Sequence, residues 1–373
     1  PMRSDWSKDY KAHILFDKVL ANTKAKYVVL SYNNDGFMSK DFIEASMKRY
    51  GKSDTFLCKT IPYKKYQNWK SNKKTEHIEY LFFVELKNKE DIRYESPVNY
   101  IGNKSRVITS IIENSPKSIN KFIDAFGGGF NVGINFQFQA NEIIYNDINH
   151  LVKELIESFK INDTYAYIQF IKRMIKKFGL EKANEQAYKE IRAYYNSLPA
   201  DKRDAKLLYT IILYGYQQQI RFNNSLEFNN PVGMRWFNDK ILEKLISFSR
   251  IIKKKDIIFK SVDYVLLEDD IDTNTFFYLD PPYMLTTGSY NDGKRGFNGW
   301  NKNLEEELFN FADKLNENKV PFMLSYILEH KGKFNDNLKH WIDKNNYCLI
   351  ELGSILGISG SRRKEILVTN YEL

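Results

Sequence analysis

Thr275-Phe276-Phe277-Tyr278-Leu279-Asp280-Pro281-Pro282-Tyr283 is the stretch that decides how this sequence folds. Five consecutive apolar residues predict a strand buried on both faces, as in the centre of a parallel sheet. The strand must end at Asp280, because two prolines carry no amide donors, fix φ and hold the preceding residue extended. The segment then leaves the sheet as a stiff arm with free carbonyls and a carboxylate beside them. Such acceptors suit an exocyclic amino group, whose lone pair is delocalised into its ring. Holding its two N–H bonds on the Asp280 side chain and the Pro281 carbonyl favours a more tetrahedral nitrogen, able to attack a methylsulfonium. Tyr283 offers a π-face for a base drawn out of a duplex, where stacking is worth about 1–3 kcal/mol. The plainer reading of the same residues is a proline-rich turn with a capping Asp and a core Tyr.

Upstream, Asn120-Lys121-Phe122-Ile123-Asp124-Ala125-Phe126-Gly127-Gly128-Gly129-Phe130 is a short apolar strand running into three glycines. Glycines there let the backbone turn sharply and approach a ligand at the carboxyl edge of a parallel sheet. The pattern is neither G-x-G-x-x-G nor a phosphate loop with its Lys, which disfavours dinucleotides and triphosphates. A second strand, Glu142-Ile143-Ile144-Tyr145, ends in Asn146-Asp147 about 20 residues later. An acid at that point can accept both hydroxyls of a ribose. It fits equally well as a helix cap before Ile148-Asn149-His150-Leu151.

The bulk properties are compatible with such a protein. Hydrophobic residues make up 43%, enough for a sizeable core, and 56 Lys+Arg against 47 Asp+Glu give a net charge of +9. That balance favours a polyanionic partner without requiring one. Two distant cysteines, Cys58 and Cys348, argue against a zinc site or a disulfide framework and suit a reducing cytosol. No apolar run approaches the roughly 20 residues of a membrane span, and the opening residues lack a signal-peptide core. The expectation is a soluble, cytoplasmic protein without a metal. Its first residue, Pro1, points to a fragment or processed product.

Self-similarity sets the domain boundary. Trp6 lies 25 residues before the Ser of Leu30-Ser31-Tyr32, and Trp300 lies 25 before the Ser of Leu324-Ser325-Tyr326. Between each Trp and its Leu-Ser-Tyr come an amphipathic helical stretch (8–22 and 304–318) and an apolar, β-rich run. Each copy closes on a strongly apolar strand, Glu79 to Val84 or Lys364 to Val368. Residues 1–90 thus look like the back third of the domain that occupies 91–373. They have no counterpart of the glycine turn or of Asp280-Pro281-Pro282-Tyr283 and cannot be catalytic alone. The charged stretch 87–96 is the expected linker.

Taken together, Tyr100-Ile101-Gly102-Asn103-Lys104, Phe122 to Gly129, Asn146-Asp147, Asp280 to Tyr283 and Ser361-Arg362-Arg363-Lys364-Glu365 resemble the motifs of Dam-like, D12-class adenine-N6 DNA methyltransferases in their α-group order. The resemblance covers about 280 of the 373 residues. It implies an α/β chain, with a Rossmann-like S-adenosylmethionine-dependent methyltransferase sheet and a helical target-recognition domain inserted at about 150–258. It implies that Asp124, Phe126, Gly127, Gly129 and Asp147 hold S-adenosylmethionine, with Lys104 nearby. A third cofactor-site acid maps to Asp263, where Tyr264 follows instead of the commoner Phe. Asp280, Pro281, Pro282 and Tyr283 would hold the target adenine. Arg221, Asn223, Glu227 and Asn229 resemble a DNA-facing loop of the family, and Arg362 and Arg363 stand in its tail. Two fused copies is the layout of bifunctional type IIS modification enzymes, each domain methylating one strand of an asymmetric site. This chain would be one lacking its front portion. Its partners would be double-stranded DNA and, without direct binding, a restriction endonuclease acting on the same site. The rivals are an amino methyltransferase of RNA, cytosine N4 or protein glutamine, and a DNA-binding specificity module without activity.

Overall fold

A computed structural model describes residues 4–63, 77–286, 300–356 and 362–372. The first segment runs α1 (Lys11–Asn22), β1 (Tyr27–Asn33), α2 (Lys40–Tyr50), β2 (Leu57–Tyr63) and β3 (His77–Glu85). Its three strands form an antiparallel sheet of order β1-β3-β2. The remainder runs α3 (Ile108–Glu113), β4 (Lys121–Asp124), β5 (Glu142–Asn146), α4 (His150–Ile161), α5 (Thr164–Phe178), α6 (Glu185–Ser197), α7 (Ala205–Tyr214) and α8 (Asp239–Ile252). It continues through β6 (Ile257–Lys260), β7 (Thr275–Leu279), α9 (Lys302–Glu317), β8 (Phe322–His330), the short β9 (Lys333–Phe334), α10 (Asp336–Asn345), β10 (Cys348–Leu356) and β11 (Arg362–Thr369).

The large sheet has the order β10-β11-β8-β7-β4-β5-β6, with β4 to β8 mutually parallel and β11 reversed. As the apolar run predicts, β7 is buried along its whole length. Phe276 and Tyr278 enter one buried cluster, while Phe277 and Leu279 enter the other, so alternate side chains feed the two layers flanking the sheet. Helices α4 to α8 all fall between β5 and β6, the span the sequence assigns to an insertion. Their starts are set by short polar side chains that accept amide hydrogens of the first turn: Asn149, Asp163, Asn184, Asp204 and Asn238.

The repeat seen in the sequence is also a repeat of topology. Helix, strand, helix, strand, strand, with the last strand in the middle of an antiparallel trio, describes both α1 to β3 and α9 to β11. The two copies differ in what covers them. Met323, Leu367, Ile350 and Leu352 belong to the same cluster as Ile108 and Ile111 of α3. On the first sheet Tyr27, Val29, Leu57 and Ile61 remain exposed, Val29 by 62%.

The first module is not a loose appendage. Arg49 on α2 forms a two-pronged ion pair with Glu243 of α8, both side chains under 10% exposed, and also donates to the Arg93 carbonyl at 2.9 Å. Arg250 of α8 donates to Asp17 Oδ2 at 2.7 Å and to the Tyr50 and Tyr94 hydroxyls at 2.7 and 3.2 Å. The stretch expected to be a linker is accordingly packed, with Ile92, Tyr94 and Ser96 buried. Charge alone hides this, because the apolar residues alternate with the polar ones. Removing one member of a buried pair strands the other's charge, at a cost of about 3–5 kcal/mol. Arg49→Met should lower stability by that order in urea denaturation. Arg49→Met combined with Glu243→Leu should recover most of the loss.

Candidate active site

Strands β4 and β7 are parallel neighbours in register, Asp124 facing Tyr278. The chain leaves β4 toward β5 on one side and leaves β7 toward β8 on the other, which opens a crevice at their carboxyl ends. A cleft of about 400 Å³ lies there, within the range of small-ligand sites. It is lined by the glycine turn, Asp124, Phe126, Tyr278, Asp280 and the 100–104 segment that includes Lys104. The glycine turn and the Asp280 carboxylate, predicted separately, therefore share one cavity.

The turn is held from below. The Gly127 amide donates to the Asn146 carbonyl at 2.7 Å, and the Gly128 amide donates to Asp147 Oδ2 at 3.0 Å. Gly128 has φ +46, and a Cβ on it would come within 2.7 Å of the Tyr100 ring. A Cβ on Gly127 would lie 2.4 Å from the Tyr145 ring. Asp147 is buried, and its other oxygen accepts the Asn149 amide at 2.8 Å. Asn149, not Asp147, caps α4. Asn146 does a job the sequence did not suggest. Its side chain donates to the Ala125 and Val262 carbonyls at 3.0 and 3.1 Å and accepts the Val262 amide at 3.0 Å, tying together the ends of β4, β5 and β6.

Asp263 stands apart from this group. It is exposed, caps the 3-10 turn that follows by accepting the Val265 amide at 3.2 Å, and does not line the cleft. The next residue makes the connection: Tyr264 packs against Phe126 at 5.1 Å between ring centroids.

At the other end of the cleft, Lys104 Nζ lies 2.7 Å from Asp280 Oδ2 and donates to the Gly102 carbonyl at 2.9 Å. It sits 5.1 Å from the centroid of the Tyr283 ring, whose hydroxyl donates to Asp280 Oδ1 at 2.6 Å. The sequence groups Lys104 with the glycine turn. The fold places its ammonium on the carboxylate of the proline arm. Burial works against the Lys104 charge, but the Asp280 carboxylate outweighs it and holds the ammonium above its ordinary range. Asp124 is in the opposite position. Burial drives its carboxyl up to about 8, helped by the nearby Asp280 and Asp147 charges and opposed by the Gly133 amide at 3.0 Å and by Lys104.

The loop singled out by Arg221, Asn223, Glu227 and Asn229 is a closed hairpin. Asn223 accepts the Ser225 and Glu227 amides at 3.0 and 2.9 Å and donates to Glu227 Oε2 at 2.7 Å, so both side chains are engaged inside the loop. Asn229 donates its amide to the Arg221 carbonyl at 3.0 Å, and Arg221 points to the exterior. The side chains of Arg362 and Arg363 fall outside the described residues, as does Ser361. Among the described residues no cluster of His, Cys, Asp or Glu could hold a metal ion, and no helix is long and apolar enough to cross a membrane.

A parallel sheet wound in both directions from β4 and β7, closed by a reversed strand and carrying an acidic proline arm beside a glycine turn, defines an α/β methyltransferase. The model of the D12 class N6 adenine-specific DNA methyltransferases matches residues 100–353, and the chain belongs to that family. It is 36% identical to "Modification methylase StsI" of Streptococcus sanguinis, over 100% of this chain and 60% of that one. With "Type II methyltransferase M.FokI" of Planomicrobium okeanokoites it shares 34% over 95% of this chain and 58% of that one. "Type II methyltransferase M.MjaIII" of Methanocaldococcus jannaschii is 26% identical over 74% of this chain and 98% of its own length. The chain thus spans about 60% of the length of the first two relatives.

The raised Asp124 value has a consequence for stability. A carboxyl with a folded value near 8 against an ordinary 3.8 stabilises the fold most below 3.8, and that contribution is lost as pH rises toward 8. Asp124→Asn removes the titration. The stability of the variant relative to the parent should therefore rise steadily between about pH 4 and pH 8 in urea titrations, and a flat difference would show that Asp124 ionises normally.

Proposed function

We propose that this chain transfers a methyl group from S-adenosylmethionine to N6 of an adenine in duplex DNA, as the modification arm of a restriction–modification system. The observation that carries the reading is the sharing of one cleft by the Asp280 carboxylate and the glycine turn. The cleft suits the cofactor. Its glycine turn is packed so tightly on Tyr145 and Tyr100 that bare backbone lines the cleft there, and its buried Asp124 carboxyl would be relieved by a cationic ligand. Asp147 is the acceptor for ribose hydroxyls, Phe126 flanks the glycine turn, and Tyr264 rather than the outlying Asp263 backs Phe126. S-adenosylmethionine supplies an electrophilic methyl group on a sulfonium.

The chain's own residues do the rest. A duplex docks by phosphate contacts from the basic insertion, with Arg221 on its hairpin, and Arg362 and Arg363 are further candidates for this role. The target adenine leaves the stack, at a cost of a few kcal/mol, and reaches the proline arm. The Tyr283 hydroxyl yields Asp280 Oδ1 to the incoming amine, while Lys104 keeps Oδ2 and so fixes the plane of the carboxylate. The Pro281 carbonyl takes the second N–H. Positioning and acceptor electrostatics carry the rate without a covalent enzyme intermediate. No metal takes part, and the protein works in the cytoplasm, where its DNA is. A cognate endonuclease acts on the same site without binding this chain.

Residues 1–90 fit the reading as the back of a first methyltransferase domain. Their topology matches α9 to β11, and the sheet face buried at Met323 and Leu367 in the second copy is exposed at Tyr27, Val29 and Leu57 in the first. Residues 91–373 are about three quarters of the chain, close to the share matched by a relative that is itself nearly fully covered.

Tritium transfer from labelled S-adenosylmethionine to duplex DNA, followed by sequencing of the methylated product, reads out activity, base and site together. Asp280→Ala should cut transfer by at least roughly 10²–10³-fold and leave cofactor affinity within a few fold. Asp147→Ala should lose cofactor affinity at a temperature where the variant, lacking the acceptor of the Gly128 and Asn149 amides, is still folded. Substantial turnover by the first variant, or methylation found on cytosine, RNA or protein glutamine, overturns the assignment.

A further inference from the structure

The proline arm cannot hold itself in place, because Pro281 and Pro282 have no amide hydrogens to donate. One of the side chains that lie against its far end touches both Tyr283 and Met284. Tyr326 sits on β8, the parallel neighbour of β7, two residues beyond the pairing of Leu279 with Leu324. Its ring meets the Tyr283 ring edge-on, with centroids 5.2 Å apart at 65°. Its hydroxyl is a hub. It donates to Glu305 Oε1 at 2.7 Å, accepts the Trp300 indole N–H at 2.9 Å, and faces the Met284 amide nitrogen at a long 3.5 Å.

The hydroxyl's direction is not free. Glu305, in the first turn of α9, is fully buried, and its carboxylate is also donated to by the Asn335 and Asn337 side chains at 2.8 and 3.2 Å. A carboxylate in that position is costly unless donors satisfy it, and Tyr326 is one of three side chains among the described residues that do. The only hydrogen of the Tyr326 hydroxyl is committed to Glu305, so its lone pairs face the Trp300 indole and the Met284 amide. Met284 follows Tyr283 directly, and the Tyr283 hydroxyl holds Asp280. An unbroken chain of contacts thus runs from Glu305 through Tyr326 to the arm and its carboxylate.

The helix–strand unit does not need this hub in order to pack. In the first copy, Lys11 stands five residues after Trp6, as Glu305 stands five after Trp300. There Trp6 is 46% exposed, and the Tyr32 hydroxyl accepts the Met38 amide at 3.1 Å instead.

Resting on the methyltransferase reading above, we infer that Tyr326, oriented by Glu305 and Trp300, is a positioning residue that sets the Tyr283 platform and the Met284 end of the arm to receive the extruded adenine. The test begins with parent enzyme shown to methylate adenine, so that failure of the general reading registers before any variant is made. Tyr326→Phe keeps the ring and removes the hydroxyl. A misplacement of the platform should lower kcat roughly 10- to 100-fold with KM for both substrates within about twofold. A duplex with 2-aminopurine at the target position reports the extruded base by its fluorescence, and Tyr326→Phe should reduce the rise seen on binding at a temperature where the variant is folded. Glu305→Gln keeps an acceptor for the hydroxyl and should retain most of kcat, while Glu305→Met should behave like Tyr326→Phe. Should Tyr326→Phe not fold, Trp300→Phe removes one donor only and should move kcat and fluorescence in the same direction. Parent-like kcat in Tyr326→Phe, or a loss confined to KM or melting temperature with unchanged fluorescence, overturns the inference. So does a Glu305→Gln variant as impaired as Glu305→Met.

Discussion

The site depends on the side-by-side, in-register pairing of β4 and β7. Because Asp124 faces Tyr278, the glycine turn beginning three residues after one and the carboxylate two residues after the other must emerge at the same edge. Neither element makes a site alone. A triple-glycine turn is only a place where backbone comes close to something, and an Asp-Pro-Pro-Tyr arm is only a set of acceptors. The sheet order fixes their separation, and burial of β7 on both faces keeps that order rigid. The charge arrangement in the cleft follows from the same closeness. The Asp280 charge raises both the Lys104 ammonium and the Asp124 carboxyl, and Lys104 in turn opposes the rise at Asp124.

The first module bears on this cleft indirectly. Arg250 joins Asp17 and Tyr50 of the module to Tyr94, and Arg49 holds the carbonyl of Arg93. From Tyr94 the chain passes through Ser96 and Val98 to Tyr100, whose ring lies over Gly128. Two buried ion pairs on α8 therefore stand only a few residues from the wall of the cleft. Buried pairs of this kind contribute little net stability, but they tolerate one geometry, and that geometry fixes where residues 93–100 run toward the large sheet.

Much of this was written in the sequence where chemistry and local pattern coincide. The Thr275–Leu279 run announces a buried strand and the prolines its end, and the glycines mark a turn after Asp124. The helix–strand repeat is visible because its spacing is preserved to the residue. The hub at Tyr326 was not visible, although Leu324-Ser325-Tyr326 stood out as a repeat. Its three hydroxyl partners, Glu305, Trp300 and Met284, lie 21 to 42 residues away, and no local pattern encodes such a meeting. Lys104 was found but grouped with the turn, since only the fold shows which carboxylate its flexible side chain reaches. For Asn223 and Glu227 the sequence shows polar residues in a loop, and the structure shows that they hold the hairpin closed, which leaves Arg221 as its outward charge. Asn146 reads in the sequence as no more than a neighbour of Asp147, whereas in the fold it is the brace that ties three strand ends together.

The central claim is that the Asp280 carboxylate, sharing a cleft with the glycine turn, receives the amine of an extruded adenine. A crystal structure of the chain with its methylated site's unmodified duplex and an unreactive S-adenosylmethionine analogue measures this directly. The account predicts the adenine N6 within hydrogen-bond distance of Asp280 and the Pro281 carbonyl, its ring on Tyr283, and the analogue against Gly127 to Gly129. An adenine that stays paired in the duplex, or an amine seated away from residue 280, would contradict it.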